Sequence, residues 1–213
     1  MNRNLKTCLI GACGVVASTA LVAGCAQLSS VRSDPHADAL AMMKDSFQSK
    51  GPAKVEDVLN PDDAQRICSM AAGSPSKDEA AKVEKAEMAS IKTPSNGNYL
   101  GDWKRGEIVA QNGRGMQFSD PVGGENGGNC YACHQLSPKE ISYGNLGPSL
   151  LAYGKVRGSS DAIKQYTWNK VYDAQAYNAC SNMPRFGHNK VLTEQQIKDV
   201  VALLLDPKSP VNQ

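Results

Sequence analysis

Five consecutive residues, Cys130-Tyr131-Ala132-Cys133-His134, carry the most specific chemistry in this 213-residue chain. Two thiols three residues apart, followed at once by an imidazole, form the attachment pattern of a c-type haem. The spacing suits that chemistry. The thiols reach the two vinyl groups on one porphyrin edge as thioethers, and the histidine falls beneath the iron as its proximal ligand. A zinc site is the chief alternative, but it wants a second pair of Cys or His at ligand spacing. Downstream there are only Cys180 and His188, and their separation fits poorly. A thioredoxin-like redox pair follows a strand and opens a helix, whereas this pair follows the glycine-rich run Gly123–Asn129. One covalent haem c, held by Cys130 and Cys133 with His134 on the iron, is the expected cofactor.

The iron needs a second axial donor on its far face. Met183 is the sole methionine after His134, and it sits before a proline, Pro184, that would stiffen its loop. Met/His ligation would raise the reduction potential relative to bis-His. His188 is the nearby rival and His36 a remote one, while the plain alternative makes Met183 a core residue. Gly147-Pro148 follows the pentapeptide closely. The Pro148 carbonyl is expected to accept the other ring N–H of His134 and fix its tautomer. Arg185 could pair with a haem propionate, face a partner, or be an ordinary solvated arginine. Trp103 and Trp168 read as packing residues, and the sequence shows no Ser/His/Asp constellation.

The elements that must position these groups read as helices throughout, with no alternating strand pattern. Ala37–Phe47 has helical apolar spacing. Pro61–Met70 reads as a short helix with Asn60 as its cap and Pro61 in its first turn. Ser76-Lys77-Asp78-Glu79 is a capping box opening a helix to Ile91. Trp103–Gln111 and Ser160–Ala174 read as further helices. Thr193-Glu194-Gln195-Gln196 caps a last one, which stops before Pro207. The chain thus divides into an export segment (1–24), a helical extension (25–98), a haem domain (99–206) and a short tail (207–213).

Arg3 and Lys6 precede an apolar run from Leu9 to Ala23 without acidic residues, the pattern of an export signal. It ends in Val22-Ala23-Gly24-Cys25, which fits a bacterial lipoprotein box with Cys25 as the lipidated residue. The alternative is a soluble signal cut nearby, for example after Ala26. The run is too short to span a bilayer. Lys and Arg total 23 against 21 Asp and Glu, and two basic residues leave with the signal. A nearly neutral chain argues against nucleic acid as a partner. Of seven cysteines, Cys8 and Cys13 leave with the signal, Cys25 is the lipid candidate, and two hold the haem. Cys68 and Cys180 remain, and an oxidising compartment favours joining them in a disulfide. The alternatives are two buried thiols or a redox-active cysteine near the haem.

At this point the residues resemble a specific family. Cys130–His134, Gly147-Pro148-Ser149-Leu150, and Asn178-Ala179-Cys180-Ser181-Asn182-Met183-Pro184-Arg185-Phe186-Gly187-His188 are similar to the SoxX sulfur-oxidation cytochromes. The Leu192–Leu204 helix fits too. The extension with Gln65-Arg66-Ile67-Cys68-Ser69 resembles the longer subtype of that family. The resemblance implies an all-α fold, a class I cytochrome c haem domain with an N-terminal helical extension. It also implies a heterodimer with a SoxA-type dihaem or monohaem cytochrome. That pair acts as an L-cysteine S-thiosulfotransferase, oxidatively joining thiosulfate to a cysteine of the SoxYZ carrier. The sulfur chemistry is expected on the SoxA haem. The SoxX haem takes the electrons and passes them to a soluble cytochrome c. A lipidated Cys25 departs from what the family implies and would tether the pair to a membrane.

Two other readings stand beside this one. The chain could be an independent monohaem carrier, tethered or soluble in the periplasm, or a haem enzyme or sensor with a labile sixth ligand. A helical extension ahead of the haem domain favours a subunit, because a simple shuttle has no need of one.

Overall fold

The computed structural model describes residues 34–213. The export segment 1–24, Cys8, Cys13 and the candidate lipid site Cys25 lie outside the described residues. Two compact units are present, one ending at Phe47 and the other running from Gln48 to Gln213. In the first, helix α1 (Pro35–Ser46) starts at Asp34, whose carboxylate accepts the His36 N–H at 3.0 Å, and carries Pro35 in its first turn. Both features suit a helix start.

The second unit contains α2 (Val55–Leu59), α3 (Asp63–Met70), α4 (Lys77–Ser90), α5 (Trp103–Gln111), α6 (Tyr153–Arg157), α7 (Asp161–Tyr172) and α8 (Glu194–Leu205). Single 3-10 turns occur at Cys130–Ala132, Ala174–Ala176 and Pro210–Asn212. Among the described residues no strand forms, and the fold is all-α, that of a class I cytochrome c. No described helix is long and apolar enough to cross a membrane.

Helix α8 is the spine. Thr193 Oγ1 accepts the Gln196 N–H while Gln196 Oε1 accepts the Thr193 N–H at 2.9 Å, so two otherwise orphaned donors are satisfied at its start. Ile197, Val200, Val201, Leu203 and Leu204 are all buried. Each such side chain contributes roughly 1.5–3 kcal/mol on leaving water. They pack with Trp168, Val109, Leu136, Phe186 and Val211 into the main core. Trp168 donates its indole N–H to the Lys92 carbonyl at 2.9 Å and meets Tyr99 edge-on.

Helices α5 and α8 cross at Gly106, where a Cβ would fall 2.1 Å from the Asp199 carbonyl oxygen. The buried Asp199 carboxylate accepts from Arg105 Nε (2.9 Å), the Asp102 N–H (2.8 Å) and Gln195 Nε2 (2.8 Å). Burial alone would raise its pKa, but these donors, Arg105 foremost, hold it below the ordinary value.

Three boundaries differ from the sequence reading, α1 starting at Pro35 rather than Ala37. Helix α3 opens at Asp62 rather than Asn60. Asn60 instead closes α2, giving its N–H to the Glu56 carbonyl, while the Asp62 carboxylate accepts the Gln65 N–H at 2.8 Å in a capping box. Helix α7 stops at Tyr172 rather than running to Ala174. Asp173 is extended there (φ −151°, ψ 99°), and its carboxylate caps the next turn through the Gln175 N–H. The short helices α2 and α6 have too few periodic residues to be seen in sequence.

Candidate functional site

The pentapeptide is a single tight turn. Asn129 enters it in the left-handed region (φ 45°), and the Cys130 carbonyl accepts the N–H groups of Cys133 (3.1 Å) and His134 (2.9 Å). Both thiols are unpaired and half-buried. Burial pushes the Cys130 thiol up to about 12, so it is neutral at physiological pH and poorly suited to thiolate chemistry.

A loop from Gly144 to Leu150 is laced onto this turn. Gly144 N–H donates to the Tyr131 carbonyl, Gly147 N–H to that of Cys133, and Leu150 N–H to that of Gln135, each at 2.8 Å. The lacing delivers Pro148, whose carbonyl lies 2.8 Å from His134 Nδ1. With Nδ1–H donated there, Nε2 is left with its lone pair, the state a metal ligand needs. Gly147 lies flat on the ring, and a Cβ at that position would stand 2.1 Å from His134 Cε1.

The run 178–188 comes from another quarter. Met183 packs half-buried against the same core as Cys130. Its N–H donates to Ser181 Oγ at 3.2 Å. Phe186 is buried, and Gly187 approaches the Tyr172 ring so closely that a Cβ would be 2.2 Å from Cδ2. Cys180 is bonded to Cys68 of α3. His188, the rival donor, has its ring among polar groups. Nδ1 lies 3.2 Å from Glu87, 3.1 Å from Asp173 and 3.2 Å from Ser90 Oγ, and Nε2 lies 3.5 Å from Arg185.

Arg185 has different surroundings from those expected of it. It is only 4% exposed, so it is not a solvated arginine. Its guanidinium is held by the carboxylates of Asp62 and of Glu87, the latter at 3.2 Å. A buried guanidinium demands such partners, because an unpaired buried charge is costly, and here the extension supplies them.

One N–H at His188 Nδ1 cannot serve three neighbours at once, and Asp173 Oδ2 is left buried without a hydrogen bond. Burial first, and then the adjacent Glu87 carboxylate, push Asp173 up to about 7. Glu87, Asp173 and His188 are close enough to surround a cation, but Arg185 already places positive charge against Glu87.

These donors fit a covalent haem. Two free thiols in the C-x-x-C-H spacing and an imidazole with its tautomer fixed are the groups such a haem would use. A surface cleft of about 500 Å³ lies among Trp103, Glu107, Tyr131, Lys139, Glu140 and Lys208, but neither His134 nor Met183 lines it. The sequence reading missed Asp62, Glu87 and Asp173. They meet the Met183 run only through the fold, and no local pattern marks them.

Comparisons with known proteins cover the same stretch of chain. Residues 125–207 match the family described as Cytochrome c. An "Uncharacterized lipoprotein" of Aquifex aeolicus (strain VF5) is 39% identical over 136 residues, covering 63% of this chain. The chain covers 64% of that relative's length. Residues 125–207 therefore form a cytochrome c domain, which implies covalently bound haem c and a role in electron transfer.

Proposed function

We propose that this chain is the monohaem electron-transfer subunit of a SoxAX-type pair. The pair would couple thiosulfate to a cysteine thiol of a SoxYZ-type carrier. That coupling forms one S–S bond, releases the thiol proton and gives up two electrons. The observation that carries the reading is that His134 beside the thiol pair has its tautomer fixed by the Pro148 carbonyl, while Met183 packs against the same core as Cys130. Were His134 and Met183 both to hold the iron, no position would be open to substrate, so the sulfur chemistry would belong on a SoxA-type cytochrome and this chain would relay electrons to a soluble cytochrome c.

Bound haem c would supply a one-electron centre whose potential is set by its axial ligands. The protein's own part is positional. Cys130 and Cys133 anchor the group, Pro148 holds His134 in one tautomer, and Gly147 leaves room for the ring. The family resemblance of the 178–188 run supports the SoxX assignment. The name of the Aquifex relative supports a lipidated Cys25 and hence a periplasmic, membrane-tethered protein.

The test is affinity capture of the tagged full chain from thiosulfate-grown cells, with haem staining and mass spectrometry. A stoichiometric second c-type cytochrome, and reduction of this haem by thiosulfate within the complex when carrier is added, is the expected result. A lone cytochrome that thiosulfate and carrier together fail to reduce would favour the independent carrier.

A further inference from the structure

Helices α3 and α4 of the extension are fastened to the Met183 run at several independent points. Cys68 is bonded to Cys180. Glu84 Oε1 accepts the Ala179 N–H at 3.2 Å. Asp62 and Glu87 both grip Arg185, and Ser90 Oγ meets His188. Beneath them Ala64, Val83 and Ala179 form a small apolar core of their own, with Ile67, Ala80 and Cys180 packed on it. Every attachment lands between residues 179 and 188, on both sides of Met183.

We propose that Asp62–Ser90 is a strap that positions Met183, with Asp62 and Glu87 acting through Arg185. This rests on the reading of Met183 as an iron donor. A thioether is a neutral, weakly held ligand, so its residence depends on how firmly the chain presents it. Pro184 joins Met183 to Arg185 and fixes its own φ, so movement at Arg185 is passed to the methionine. Arg185 in turn is held in place by its two carboxylates, because the guanidinium is buried and depends on Asp62 and the buried Glu87 for its charge partners. Asp62 and Glu87 are therefore positioning residues for the sixth ligand, although they lie 123 and 98 residues from Arg185 in sequence.

Asp62→Asn isolates this role. Asparagine caps a helix as well as aspartate does, so α3 is kept while the charge facing Arg185 is lost. Glu87→Gln is the second variant and does not touch a cap. The full-chain haem protein is read in two ways. One is the near-infrared sulfur-to-iron charge-transfer band of the oxidised form. The other is the rate at which carbon monoxide binds the reduced form, well below the unfolding temperature.

Each variant should weaken the band and speed carbon monoxide binding about tenfold, as loss of one charge-assisted hydrogen bond implies. Folded variants with the wild-type band and wild-type rate would overturn the strap while leaving Met183 ligation intact. A wild-type protein without the band would overturn the strap and the ligand reading together.

Discussion

Gly147 lies so close to the His134 ring that a Cβ there would be 2.1 Å from Cε1 and 2.5 Å from Nδ1. The ring also holds the Pro148 carbonyl at 2.8 Å, so it is clamped between a flat backbone face and an acceptor. The neighbouring backbone bonds to Cys133 and Gln135 leave the loop no room to retreat.

Gly147→Ala should therefore displace the imidazole. Overpacking of this kind costs roughly 1–3 kcal/mol. The expected outcome is a lower urea midpoint and a reduced yield of haem-loaded protein, measured side by side with wild type. Wild-type values for both would show that the ring is not clamped.

Asp173 makes a prediction about pH. Its folded-state pKa is about 7 against an ordinary value of 3.8. The folded protein thus binds more protons than the unfolded chain between about pH 4 and 7, and stability falls as pH rises through that window. Asp62 and Asp199 act oppositely. Burial tends to raise both, but their hydrogen bonds to backbone and arginine lower them, so their contribution is lost only as pH drops below about 4. Asp173→Asn should flatten the decline. It should be more stable than wild type at pH 8, by on the order of 2 kcal/mol, and not at pH 4. Denaturant titrations at both pH values check this.

The all-α architecture was legible because its signals are local. The capping boxes at Ser76 and Thr193 each lie within four residues and mark their helices directly. The relationship of His134 to Pro148 is also local, separated by 14 positions. Asn60 misled because two helices compete for it. A residue that can cap the next helix can also close the one before, and only the Glu56 carbonyl decides the matter. The Arg185 partners were invisible for a different reason. An arginine after Met-Pro looks the same whether solvated or buried, and its burial depends on α3 and α4 folding back over it.

The Cys68–Cys180 bond closes a loop with a sequence separation of 112. In the chain-entropy account a loop of about that size stabilises the fold by roughly 3–5 kcal/mol. Cys68→Ser with Cys180→Ser should lower the unfolding free energy by that order, and added reductant should bring the wild type to the same value. A double variant as stable as wild type would mean that the packing of Ala64, Val83 and Ala179 alone holds the strap.

The most direct test of the account is the optical spectrum of the oxidised haem protein beside its Met183→Ala and His188→Ala variants. His134/Met183 ligation predicts a near-infrared sulfur-to-iron charge-transfer band in the wild type, its loss in Met183→Ala and its survival in His188→Ala. A wild type without that band, or a band that persists in Met183→Ala, would contradict it.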